Sequence, residues 1–271
     1  MHTPIRFLLF SLSATALFGQ QPCSNTVSAN NIRINRLVIE SNSLPEAERE
    51  QIIRLFQQKT YPQTEIGDRI RIALRSRGYF KAVIQEPNLT FSQQEDRKTA
   101  EVTVQVEPGA QYRLREIHFQ NATIFPSSQL REQFSLHNGD ILNVTKVGEG
   151  LENLRELYAT RGYVDFVATP EILVDESNHT IDLHIAVDEG SPFNFGELYL
   201  EGVEPHAGAS KALRDSWKPL EGKRYSSLEL QRWFTANRST WHAGTQMSQS
   251  ISFTRQPQSH LMNVTLTQPC R

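Results

Sequence analysis

The sequence predicts an α+β fold: a tandem array of three small β-α-α-β-β domains, each a three-stranded mixed sheet with two helices on one face. Three observations predict it. Alternating strands end three times at a turn: Val102, Val104 and Val106 before Glu107-Pro108-Gly109; Ile181, Leu183, Ile185 and Val187 before Asp188-Glu189-Gly190; Met262, Val264 and Leu266 before Gln268-Pro269. Ahead of the first two lie Arg77-Gly78-Tyr79-Phe80 and Arg161-Gly162-Tyr163-Val164. A short strand also opens each unit, at 36–39, 116–119 and 197–200. These landmarks recur at a period of about 80 residues, which marks repeated small domains, each with its own core.

The first unit, residues 32–109, takes a strand over 34–39 and a helix over 45–57 carrying Ile52, Ile53 and Phe56. A second helix over 64–76 places Ile66, Ile70, Ala73 and Leu74 on one side, the spacing of an amphipathic helix. Gly78-Tyr79 then leads into a strand reaching about residue 91, and the charged tip at 94–98 is a solvated hairpin end. In the second unit, residues 110–191, a strand runs over 112–119 and Pro126 opens a short helix to 134. After Asn138-Gly139-Asp140, a helix over 145–160 presents Val147, Leu151, Leu154 and Tyr158. Gly162 suits a helix end that needs positive φ, and strands follow over 163–174 and 180–187. Gly148-Glu149-Gly150 sits inside that helix pattern and lacks the lysine of a phosphate loop, so it points to close packing. The third unit, residues 192–271, is a degenerate copy. Helices are expected at 209–217 and 227–237, Ala243-Gly244-Thr245 replaces the Gly-Tyr step, and a hairpin turns at 255–258. The connectors around Gly109 and Gly190 are short and hold Pro108 and Pro192, which favours fixed placement of neighbours.

Bulk properties exclude some functions. A chain of 271 residues with 38% hydrophobic and 21% charged residues is ordinary for a foldable protein, and a net charge of −2 gives no electrostatic reason to bind nucleic acid. Residues 1–19 read as a signal peptide, with Arg6 ahead of an apolar run too short to span a bilayer, followed by a linker over 20–31. The protein is therefore expected to be exported. Cys23 and Cys270 lie near the two ends. A disulfide between them needs Cα atoms within about 7 Å, so either an internal or an intermolecular pairing stays open.

The β-α-α-β-β order, the helix ending in Arg-Gly-Tyr, and the link Asp188-Glu189-Gly190-Ser191-Pro192-Phe193 into Gly196-Glu197-Leu198 resemble POTRA domains, the polypeptide-transport-associated modules of outer-membrane barrel-assembly and two-partner-secretion proteins. The resemblance is strongest in the second unit and covers about residues 32–267. It implies a location in the periplasm, in association with the outer membrane. It also implies partners: unfolded outer-membrane or secreted polypeptides, or a separate outer-membrane β-barrel subunit. Such families usually add a C-terminal barrel, and after residue 267 this sequence leaves no room for one. Asn-x-Thr sequons, among them those at Asn88, Asn121 and Asn263, would carry no glycan in the bacterial exported protein that the resemblance implies.

Candidate chemistry is sparse. Eight histidines include His118, His179, His184 and His206, none at helical zinc spacing. His118 and His184 are expected to face solvent on half-buried strands. Glu107, Asp188 and Glu189 sit at strand ends beside Pro or Gly and read as turn residues. Tyr79 and Tyr163 read as core. No catalytic residue, metal ligand, cofactor or small-molecule substrate is expected. What remains is backbone chemistry: an open sheet edge can take an added strand. By the resemblance, the edges are Phe80, Val83 and Gln85 in the first unit and Val164, Phe166 and Ala168 in the second. Pro87 and Pro170 each remove a donor, as edge strands tolerate. The expected function is a non-enzymatic periplasmic docking scaffold; the alternative is a structural envelope or cell-division protein using the same modules for one fixed partner.

Overall fold

A computed structural model describes residues 31–94, 97–201, 207–238, 240 and 251–267. The expected signal segment, both cysteines, His206, the tip at 95–96 and Ala243-Gly244-Thr245 lie outside the described residues.

The β-α-α-β-β order recurs three times. In the first repeat, β1 (Asn31–Glu40) is followed by α1 (Glu46–Phe56), the short β2 (Thr60–Pro62) and α2 (Ile66–Arg75). The short β3 (Val83–Ile84) then precedes the hairpin β4 (Asn88–Gln94) and β5 (Arg97–Glu107). β1 and β5 run parallel, and β4 joins β5 antiparallel. That is the expected three-stranded mixed sheet, to which β2 adds beside β1 and β3 beside β5. The strand expected to run unbroken to about residue 91 is interrupted at Gln85-Glu86-Pro87, where proline has no N–H to donate. Ile34, Leu37 and Ile39 from β1, Ile52 and Phe56 from α1, Ile66, Ile70 and Leu74 from α2, and Val102, Val104 and Val106 from β5 form one apolar cluster.

The second repeat comprises β6 (Arg113–Gln120), α3 (Ser127–Arg131), α4 (Val144–Ala159), β7 (Val167–Asp175) and β8 (Thr180–Asp188), with sheet order β6-β8-β7. Asn143 caps α4, its Oδ1 accepting from the amides of Thr145 and Lys146 at 3.0 and 3.1 Å. The double glycine in α4 splits in meaning. A Cβ at Gly150 would meet the Phe134 ring at 2.2 Å, whereas one at Gly148 would meet nothing within 4 Å. The third repeat has β9 (Asn194–Glu201), α5 (Ala207–Trp217), α6 (Ser227–Ala236) and the hairpin β10 (Ile251–Gln256) and β11 (Leu261–Thr267), in order β10-β11-β9. Phe195, Leu213, Trp217, Leu230 and Val264 are central to its core.

By contact, the chain forms two compact units, and the boundary runs through the second repeat. One comprises residues 1–118, 134–150 and 170–185, the other residues 119–133, 151–169 and 186–271. Among the described residues, no helix is long and apolar enough to cross a membrane.

Each unit holds one Arg-Gly-Tyr step, and the two are built alike. Gly78 and Gly162 take φ of 83° and 86°. The amide of Gly78 donates to Arg75 and that of Tyr79 to Leu74, at 3.1 and 3.2 Å; Gly162 donates to Ala159 and Tyr163 to Tyr158, at 3.2 and 3.1 Å. This double bond closes a helix C-terminus around a left-handed residue. Both positions are also crowded. A Cβ at Gly78 would lie 2.7 Å from Ile141 and 2.9 Å from the Tyr112 carbonyl, and one at Gly162 would lie 2.8 Å from the Phe193 carbonyl. Gly109 and Gly139 also have positive φ, yet a Cβ there meets nothing within 4 Å. Alanine in left-handed geometry alone costs about 1–2 kcal/mol, so G109A and G139A should lower stability by about that amount. G78A and G162A should cost at least about 1 kcal/mol more, because overpacking adds to it. Urea-unfolding midpoints of the four variants test this; equal losses at all four would mean that crowding at the two joints is immaterial.

Candidate functional site: sheet margins and repeat joints

A margin presents main-chain N–H and C=O groups that no neighbouring strand takes up. In the first repeat, β5 is interior, and β4 and β3 form the margin beyond it. In the second, β7 is terminal, with β6 at the opposite side, and in the third β10 is terminal, with β9 at the opposite side. Each carries one large apolar side chain in the open: Phe91 on β4, Val167 on β7 and Phe253 on β10, 45%, 52% and 46% exposed. Val83 on β3 is 60% exposed. Beside it opens a cleft of about 340 Å³, lined by Glu40, Asn42, Val83, Gln85, Gln105 and Glu107.

The expected margin residues divide. Val83 and Gln85 are exposed, and Val164 and Ala168 are half-buried. Phe80 and Phe166 are not displayed at all, being 4% exposed each. The reason is parity. After each glycine the chain makes a tight turn, with the amides of Phe80 and Val164 bonded back to the carbonyls of Gly78 and Gly162 at 2.8 and 3.1 Å. The strands therefore start at Val83 and Val167, and the alternation must be counted from there. Phe166 instead stacks on Tyr158, with ring centroids 4.0 Å apart. Tyr79 is core as expected. Tyr163 is half-buried and meets Tyr158 edge-on at 6.2 Å.

The glycines do more than end helices. The Gly78 carbonyl accepts from the amide of Tyr112, the residue before β6, at 2.8 Å; the Gly162 carbonyl accepts from Phe193, the residue before β9, at 2.8 Å. The main chain that follows is the same in both places. Leu142 donates to Tyr112 at 3.0 Å and Tyr225 to Phe193 at 2.9 Å, while Gly139 donates to Leu114 at 2.7 Å and Gly222 to Phe195 at 2.8 Å. His179 and His260, at φ 49° and 51°, set their rings edge-on to Tyr112 and Phe193, with centroids 5.8 and 5.6 Å apart. The charges differ in polarity. Lys81 pairs with Glu176 at the first joint, and Asp165 with Arg255 at the second.

Glu189 departs from its expected turn role. Asp188 keeps that role, its Oδ1 accepting from the Gly190 amide at 3.1 Å. The Glu189 carboxylate instead accepts from the amides of Thr123 and Ile124 at 2.8 and 2.9 Å, from the Tyr158 hydroxyl at 2.8 Å, and from the Thr123 hydroxyl. Partial burial opposes its charge, but the donors from Thr123, Ile124 and Tyr158 outweigh it and hold the carboxyl below its ordinary value. Burial, then the bond to Glu189, pushes the Tyr158 hydroxyl well up. With its lone pairs engaged in these bonds, Glu189 is a structural anchor for the loop before α3. Arg161 completes this corner, its guanidinium 4.2 Å from the Phe125 ring centre and bonded to the Ile124 carbonyl at 3.0 Å.

The POTRA family model, described as surface antigen variable number repeat, matches residues 32–109 and 112–190. The chain is 25% identical over 147 residues to the outer membrane protein assembly factor BamA of Neisseria meningitidis, a stretch that covers 49% of this chain and 18% of that protein. The chain thus spans less than a fifth of that relative's length. A crystal structure of Haemophilus influenzae BamA POTRA3-5 superposes with a TM-score of 0.65 at 19% identity, over 88% of this chain and 96% of that one.

Replacing Glu189 by alanine removes the acceptor of the Thr123 and Ile124 amides and of the Tyr158 hydroxyl. E189A should lose about 1–3 kcal/mol at pH 7, the cost of donors left without that acceptor. Because the folded pKa is depressed, the wild-type advantage is full above the unfolded value of about 4.3 and fades as pH falls below it. Urea midpoints of both proteins between neutral pH and pH 3 check the size and the window; a gap that stays constant down to pH 3 would assign the effect to packing.

Proposed function

The chain belongs to the POTRA family, and from that premise we propose that it is a non-enzymatic scaffold of the bacterial periplasm. It docks extended polypeptide along its sheet margins during outer-membrane protein assembly or secretion. The likeness to an outer membrane protein assembly factor supports the process. The observation that carries the docking mode is the outer strand of the second repeat, β7, terminal in its sheet with Val167 exposed and Pro170 within it. Proline is at home on such a strand because the outward side needs no donor. It also limits how many residues a guest can pair.

Magnitudes set the expected affinity. A guest strand would gain a handful of main-chain hydrogen bonds at about 1 kcal/mol each and one or two buried apolar side chains at about 1.5–3 kcal/mol each. Association and ordering cost about 4–15 kcal/mol. Gain and cost are of similar size, so the net affinity is small and binding in the millimolar range is expected. Weak, sequence-tolerant capture is what a carrier of unfolded chains requires. Tight binding would block hand-over.

The test is an NMR titration of the chain with an alternating apolar/polar peptide of about ten residues, the pattern of a membrane β-strand. The same peptide N-methylated at every second amide is the control. The unmodified peptide should shift the amides of β7 and of β3–β4 with millimolar affinity, and methylation should abolish the effect. Equal binding by the methylated peptide, or shifts confined to helical residues, would overturn strand addition. No peptide binding together with capture of one folded envelope protein would favour fixed structural contact instead.

A further inference from the structure

We infer that the second repeat carries a site for a divalent transition metal of the zinc class, formed by His118, His184 and Asp182, with Glu116 beside them. None of these four side chains lies on β3, β4 or β7, the strands of the docking proposal. β6 and β8 are neighbours in the sheet. Alternation puts Glu116 and His118 on one face of β6, and Asp182 and His184 on one face of β8. Those faces coincide: the two imidazole centroids are 4.6 Å apart, inclined at 47°. One donor atom from each of His118, Asp182 and His184 lies within 4.8 Å of the others. Tetrahedral zinc with ligand bonds of about 2.0–2.2 Å needs donors about 3.3–3.5 Å apart. Side-chain rotation alone can close the difference, since both imidazoles are half-exposed and neither strand has to move.

Two surface histidines side by side would be unremarkable, but the carboxylate beneath them is not. Asp182 is 7% exposed. Arg115 holds it, Nε donating to Oδ1 at 2.8 Å and Nη2 to Oδ2. That pairing explains the charge of Asp182; it does not explain why two imidazoles converge on the same carboxylate. Nor does it block the site. Each carboxylate oxygen has a second lone-pair direction, and Arg115 also reaches Asp175, its Nη1 3.8 Å from Oδ2. The guanidinium can therefore stay as the partner that orients the ligand, or lean toward Asp175. Glu116 lies 3.5 Å from His118 Nε2 and supplies either a fourth oxygen or the carboxylate that fixes the imidazole. Two imidazoles with one or two carboxylates select borderline metals over Mg²⁺ and Ca²⁺, which prefer all-oxygen shells.

The experiment is isothermal titration of ZnCl₂ into the tag-free, chelator-stripped chain near pH 7.5. Wild type should take up one equivalent of zinc in a saturable step that H118N and H184N each weaken at least tenfold. H137N, which alters an imidazole on a loop outside the cluster, should titrate like wild type, and Mg²⁺ should give no saturable heat. Melting midpoints and far-ultraviolet spectra of the metal-free variants establish that they fold, and H184Q serves as a second variant if one does not. The proposal is overturned if wild type shows no saturable zinc heat, if H118N and H184N titrate like wild type, or if H137N alone is impaired. Histidines outside the described residues are separated by the same comparison, because their sites would survive both cluster variants.

Discussion

One hydrogen bond recurs at each joint, and much of the architecture depends on it: the carbonyl of the helix-ending glycine accepts the amide that leads into the next repeat's first strand. The bond requires the carbonyl to turn outward from the helix, and the left-handed conformation does that. It also requires a neighbouring backbone to come within van der Waals distance of the glycine, and the missing Cβ allows it. Helix termination and attachment of the following repeat are thereby a single local event. A residue with a side chain would impair both at once.

That economy has a consequence for the sheet margins. The same glycine starts the tight turn that delays strand pairing until Val83 in the first repeat and Val167 in the second. The aromatic residues of the turn go inward, with Phe166 stacking on Tyr158, while the following valines face out. Open margins are an aggregation hazard. Here they are kept short: β3 has two residues, a proline-bearing gap separates it from β4, and Pro170 lies within β7. Margins cut in this way expose only a few consecutive main-chain groups.

The repeated elements were legible in the sequence because their requirements are local. A glycine after an amphipathic helix signals a left-handed cap, which holds at Gly78 and Gly162, and alternation signals a strand, which holds in β5, β8 and β11. The phase of the margin strands was not legible, since counting from Gly78 or Gly162 ignores the turn and puts Phe80 and Phe166 on the wrong face. Glu189 was missed for a different reason. Its partners Thr123 and Ile124 come from a distant loop, and turn chemistry explains its neighbour Asp188 well enough to hide it. A signal existed, however. The first repeat has Pro108 where the second has Glu189, so the second repeat carries a charge at a half-buried corner that the first does without. The histidine cluster escaped a search for helical spacing, yet β6 and β8 each carry an acid-x-His dyad, Glu116-x-His118 and Asp182-x-His184. Only the pairing of the strands makes that doubling meaningful.

The charges at the joints follow from the sameness of the main chain. Because both joints use one hydrogen-bond frame, the backbone alone does not distinguish which hairpin belongs against which glycine turn. Lys81 faces Glu176 at one and Asp165 faces Arg255 at the other, pairs of opposite polarity in equivalent places. An exposed ion pair adds only about 0–1 kcal/mol to stability, so these pairs contribute little as stabilisers. Their effect is larger as discrimination. Exchanging the hairpins would set Lys81 against Arg255 and Asp165 against Glu176, replacing two attractions with two repulsions, and specificity is set by such differences between right and wrong partners. In a chain whose repeats share a backbone plan, polarity at the joint penalises the wrong pairing.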